Sequence, residues 1–128
     1  MLPWCTLNIR VTQVYTSALS LGQYASPIVS NDQWERIATL ILYGAYEATL
    51  LEASRIASER GQTVKVFLTK LGLGVFGNDP SWVAQAISHA VNSARNQGAD
   101  IEVFICHHRA IDRNFAGILD SVLVPEVD

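Results

Sequence analysis

The sequence predicts an α/β domain in which helices pack on the faces of a mostly parallel sheet. Three observations lead there. Strand-like and helix-like segments alternate along the chain as β–α–β–α–β–α, the order that places helical crossovers between parallel strands. Apolar residues switch period with them, from the short run VKVFL at residues 64–68 to the helical spacing of Val83, Ala86, Ile87, Ala90, Val91 and Ala94. Finally, 49% of the 128 residues are hydrophobic and 16% charged, which suits one domain with a sizeable core.

Residues 8–17 hold Ile9, Val11, Thr12, Val14 and Thr16. This enrichment in β-branched side chains predicts a first strand. A loop follows over residues 20–31, marked by Gly22, Ser26 and Pro27. A long helix is expected over residues 32–60. Ser30 and Gln33 have capping-box spacing, and Asn31 or Asp32 is an alternative cap. Trp34, Ile37, Ala38, Ile41, Leu42 and Ala45 predict its buried stripe, continued by Ala48 and Leu51. Glu52, Arg55 and Glu59 pair along the other face, and Gly61 ends the helix.

The second strand is residues 64–68. Asp79 then caps a helix over residues 80–96, with Pro80 preset for its first position and Gly98 beyond its end. Residues 101–106, IEVFIC, are apolar on nearly both faces and predict a buried parallel strand. A last helix over residues 112–122 places Phe115, Ile118, Leu119 and Val122 at core spacing, and the tail from Pro125 is expected to fray.

Composition narrows the function. The net charge is -3, and no two of the nine Lys and Arg residues are adjacent, which disfavours a nucleic-acid partner. Cys5 and Cys106 lie in no metal-like or CxxC spacing, so reduced thiols in a cytoplasmic protein are expected. Residues 1–15, interrupted by Pro3, Asn8 and Arg10, lack a signal-peptide core, and no window has the ~20 apolar residues of a membrane span.

The segment with chemical promise is residues 71–80, LGLGVFGNDP, between the second strand and its helix. Gly72, Gly74 and Gly77 can take positive φ, and a helix starts just beyond them. Converging amides, small side chains and a helix N-terminus are what a phosphate needs. Ligands in parallel α/β folds also sit at the carboxyl ends of strands, where this loop lies. A tight connection whose glycines serve only the turn is the alternative. The Gly-x-Gly-x-x-Gly spacing matches a dinucleotide fingerprint, but Asn78, Asp79 and Pro80 delay the helix, and the next strand ends in Cys106, His107 and His108 rather than an acid. A Walker A lysine is absent.

Residues 69–80, TKLGLGVFGNDP, resemble the phosphate loop of macrodomains, with Gly74, Val75, Phe76 and Gly77 matching closely. The Gly-Asn-Asp-Pro continuation, with Val83 and Ala84 after it, looks like the microbial poly(ADP-ribose) glycohydrolase branch. The helix containing Tyr46, Leu50 and Ala53, and the strand over residues 101–106, are similar to the family's flanking elements. This resemblance covers residues 43–119. It implies a partial three-layer α/β/α sandwich that binds ADP-ribose or a related nucleotide diphosphate. Gly72, Leu73, Gly74, Val75, Phe76, Gly77 and Asn78 would line the ligand, Phe76 beside the distal ribose and His107 on the adenine side. No organic cofactor or metal is implied.

The family's adenine-binding aspartate, asparagine loop and first glycine loop have no counterpart in this sequence, and no catalytic group is identifiable. Non-catalytic binding is therefore the leading expectation. An ADP-ribosyl hydrolase completed by a partner or further segment, and an interaction remnant without ligand, are the alternatives. In the family sheet a strand lies between those resembling residues 8–17 and 64–68. Its absence predicts a gap of roughly 10 Å, two strand spacings. Rearrangement, or a partner such as a second copy covering an open sheet edge, would close it.

Other candidates are weaker. His107 and His108 are adjacent and point apart on an extended chain, so they chelate poorly. The same geometry disfavours a Cys106–His107 nucleophile, and Cys106 reads as a core residue. His89 reads as solvated, and Glu47 as a surface or locally satisfied carboxylate. Trp4, Trp34 and Trp82 read as scattered core or rim aromatics. Gln13 and Ser17 fall where a ligand at the end of the first strand would reach them.

Overall fold

The computed structural model describes residues 10–22 and 27–123. Trp4, Cys5, Asn8, Ile9, Ser26 and the tail from Pro125 lie outside them. The described residues form a mixed α/β structure in the order α1 (Asn31–Arg60), β1 (Val64–Leu68), α2 (Pro80–Asn96), β2 (Ile101–Ile105) and α3 (Arg113–Val122), with a 3₁₀ turn at Gly74–Phe76. The two strands pair in parallel, Val64 opposite Ile101 through Leu68 opposite Ile105.

Local chemistry sets the boundaries. Ser30 accepts the Gln33 amide at 3.3 Å while the Gln33 side chain accepts the Ser30 amide at 3.1 Å, a complete capping box. Gly61 closes α1 in the left-handed conformation, φ 63°. Asp79 caps α2 through the Ser81 amide, with Pro80 in the first turn. Asp112 caps α3 by accepting the Phe115 amide at 3.0 Å.

One core joins these elements. Leu42, Tyr46 and Leu50 of α1 meet Val66 and Leu68 of β1, Val83 and Ile87 of α2, and Phe115 and Leu119 of α3. Val64, Ile101, Val103 and Ile105 pack against the same cluster. Strand side chains alternate between faces, so all of these lie on one side of the sheet. The other side carries Lys65, Phe67, Glu102 and Phe104, all exposed. There Phe67 and Phe104 stack with ring centroids 5.1 Å apart. The described residues thus make two layers, with the helices over one sheet face.

Four expectations need correction. First, residues 10–17 form no ladder and are exposed. β-branched residues favour a strand only where a neighbour exists to pair with, and among the described residues none pairs with them. Second, the buried face of α1 runs through Ala38, Leu42, Ala45, Tyr46, Leu50, Ala53, Ile56 and Ala57. Ala48 is exposed, as are Ile37 and Leu51 at 45% and 48%. The middle of α1 is apolar nearly all round, so several stripes satisfy helical spacing. Third, β2 is not buried on both faces, since Glu102 and Phe104 are exposed. Fourth, Cys106 lies just past β2 and is exposed rather than in the core.

Candidate functional site

The glycine loop begins where β1 ends, and α1 holds its start. The buried Tyr46 hydroxyl donates to the Thr69 carbonyl at 2.7 Å and accepts the Leu71 amide at 2.9 Å. Burial pushes the Tyr46 phenol up to about 12, partly opposed by the Leu71 hydrogen bond.

Beyond that clip the chain turns three times through the left-handed region, at Gly72 (φ 78°), Gly74 (φ 73°) and Gly77 (φ 68°). Gly72 is indispensable on two counts. A Cβ there would lie 2.6 Å from both the Ala18 methyl and the Asn78 side chain. Gly74 is constrained by φ alone, because a Cβ there meets nothing within 4 Å. The Gly77 amide closes on the Gly74 carbonyl at 3.0 Å and the Asn78 amide on the Gly72 carbonyl at 2.9 Å. The amides of Gly72, Leu73, Gly74 and Val75, just before or within the first 3₁₀ turn, have no acceptor among the described residues.

Of the residues singled out in the loop, Gly74, Val75, Phe76 and Gly77 are exposed, Val75 at 89%, while Gly72 and Leu73 are half-buried. Asn78 turns inward. It is 4% exposed, and its Nδ2 donates to the Leu19 and Gly72 carbonyls at 2.7 and 3.1 Å. Its Oδ1 is buried without a partner among the described residues. The segment before α1 braces the loop, with the Leu21 amide on the Phe76 carbonyl at 2.7 Å.

His107 sits beside the root of the loop and not over its tip. Its Nδ1 accepts the Asp112 amide at 3.1 Å and lies 3.4 Å from Lys70 Nζ. Accepting at Nδ1 places the proton of the neutral ring on Nε2. Lys70 also reaches Asp112 Oδ2 at 3.3 Å and stands 5.5 Å from the Phe115 ring centroid. The Phe115 amide, with help from Lys70, holds the Asp112 carboxyl below its usual range against partial desolvation. His107 therefore fastens the β2–α3 connection to the start of the loop. Tyr46, Lys70 and Asp112 complete this bracket, and only Tyr46 carried a sequence signal, its place in the helix before β1.

The remaining candidates fall elsewhere. His89 is exposed and packs on Tyr43, centroids 4.9 Å apart. Glu47 is half-buried in α1. Gln13 accepts the Tyr15 hydroxyl, and the Ser17 hydroxyl donates to the Ala18 carbonyl at 3.1 Å. Among the described residues no cluster of His, Cys, Asp and Glu has metal-binding geometry, and no helix is long and apolar enough to cross a membrane. Comparison with protein-family models finds no match to this chain, and comparison with curated proteins finds none either.

Proposed function

We propose that the protein binds the diphosphate of ADP-ribose or a related nucleotide through residues 72–75, without catalysing its turnover. One observation carries the proposal: four successive amides, Gly72 to Val75, lack acceptors among the described residues, in a loop bent by left-handed glycines at the carboxyl end of a parallel strand. Successive free amides on such a turn form an anion-binding concavity. The α2 N-terminus follows directly and adds positive potential, although the exposed Asp79 cap subtracts from it. Lys70 sits at the loop root, its charge shared with Asp112 Oδ2 at 3.3 Å. On this reading the described residues supply two layers of a partial macrodomain-like α/β/α sandwich, Phe76 flanks the distal ribose, and His107 steadies the loop from behind.

A second reading has its own support. Asn78 and Ala18 fill the inner side of the turn, so Gly72 is needed for packing whether or not a ligand binds. Amide chemical shifts separate the two. On titration with ADP-ribose, the binding reading requires saturable downfield shifts at residues 72–75, reproduced by ADP and not by adenosine. Unchanged shifts at millimolar ligand would leave the loop a structural turn.

A further inference from the structure

A cleft of about 490 Å³ opens on the far side of β1 from β2, with residues 10–15 forming its opposite wall. The backbone of β1 faces into it. The Val64 amide bonds the Asp100 carbonyl at 3.1 Å and the Leu68 carbonyl accepts the Cys106 amide at 2.8 Å, so alternate residues Val64, Val66 and Leu68 point their polar groups at β2. Lys65 and Phe67 therefore turn their N–H and C=O groups toward the cleft. The opposite wall is rich in β-branched residues and belongs to no ladder. No strand among the described residues lies between these two strand-competent walls, the arrangement that strand addition needs.

Charge identifies the occupant. Arg10, Arg60 and Lys65 line the cleft, and none of them has an ion pair among the described residues. The one acid in the lining, Glu52, is held by Arg55 at 2.6 Å. The cleft is thus cationic on a chain of net charge -3. A second copy presenting the same edge would set these cations against themselves. The floor beneath them is apolar, with Ala53, Ile56 and Val66. We infer that the cleft takes an extended segment of another polypeptide, alternating acidic and apolar residues, which adds as a strand to the free edge of β1. Its acidic side chains meet Lys65, Arg60 and Arg10. Its apolar ones lie over Ile56, and its backbone pairs with Lys65 and Phe67.

Amide hydrogen exchange on the full chain tests this. The probes are the capped heptapeptide Thr-Val-Glu-Val-Asp-Val-Thr, its counterpart with lysine for both acids, and an acidic version N-methylated at alternate amides. The acidic peptide is expected to slow exchange at Lys65 and Phe67 at least tenfold at millimolar concentration, and the other two to leave it unchanged. The surface variant Arg60→Glu/Lys65→Glu is expected to reverse the preference between acidic and lysine peptides. Equal protection by all three peptides, protection by none, or an unreversed preference in the variant would overturn the proposal. So would edge amides already protected in a peptide-free dimer, because a second copy would then occupy the cleft.

Discussion

Replacing Tyr46 by Phe removes one oxygen from the point where α1 grips the glycine loop. The ring is 2% exposed and Phe fills the same space, so the change isolates the hydroxyl. Two hydrogen bonds are lost, at 2.7 and 2.9 Å. The Leu71 amide keeps a second acceptor in the Thr69 carbonyl at 3.1 Å, and Thr69 itself is exposed, so water can reach part of what is left. The net cost is therefore about 1–2 kcal/mol near neutral pH. Alkali adds a second effect of opposite sign. Below pH 10 the phenol is neutral in both folded and unfolded chains, and its contribution is fully present. The folded phenol holds its proton up to about 12, against 10.0 unfolded. Between those values the unfolded chain ionises first, and wild type loses stability, by about 3 kcal/mol in all. Tyr46→Phe has no such loss. Urea unfolding followed by circular dichroism from pH 8 to pH 12 reads both. The variant's midpoint should start lower by roughly 1 M, and the two curves should then converge and cross. Parallel curves, or a variant as stable as wild type at pH 8, would refute the role given to the hydroxyl.

Gly72→Ala, which forces a Cβ to 2.6 Å from Ala18 at φ 78°, should cost at least ~2 kcal/mol in a thermal melt. Gly74→Asn, in open space at φ 73° where asparagine is tolerated, should cost under ~1 kcal/mol. Asp112→Ala should lower stability at neutral pH. Because the folded carboxyl lies below its usual range, that deficit should shrink as pH falls through the folded value, so wild-type and variant melting curves should merge in acid.

Much of the fold was legible because its signals are local. Ser30, Gly61 and Asp79 act within one turn of where they stand, and α2 has a single apolar stripe. What failed depends on tertiary partners. Ile37 and Leu51 match helical spacing as well as Leu50 does, and only the placement of α2 and the sheet decides which face is covered. Residues 10–17 have strand composition but pair with no strand among the described residues. IEVFIC reads as a doubly buried strand, yet nothing among the described residues covers Glu102 and Phe104. At the site, the three glycines announced the turn. The inward seat of Asn78 and the bracket of Tyr46, Lys70, His107 and Asp112 join residues up to 66 positions apart, from Tyr46 to Asp112, which no local pattern encodes.

Calorimetric titration with ADP-ribose of the wild-type chain, Gly74→Asn and Gly74→Asp tests the central claim most directly. Both substitutions suit the left-handed backbone and enter open space, so they differ chiefly by one negative charge beside the free amides. The account predicts micromolar binding by wild type, modest weakening by Gly74→Asn, and at least tenfold further loss in Gly74→Asp. No heat from a folded wild-type chain at millimolar ligand, or equal affinities for the two variants, would contradict it.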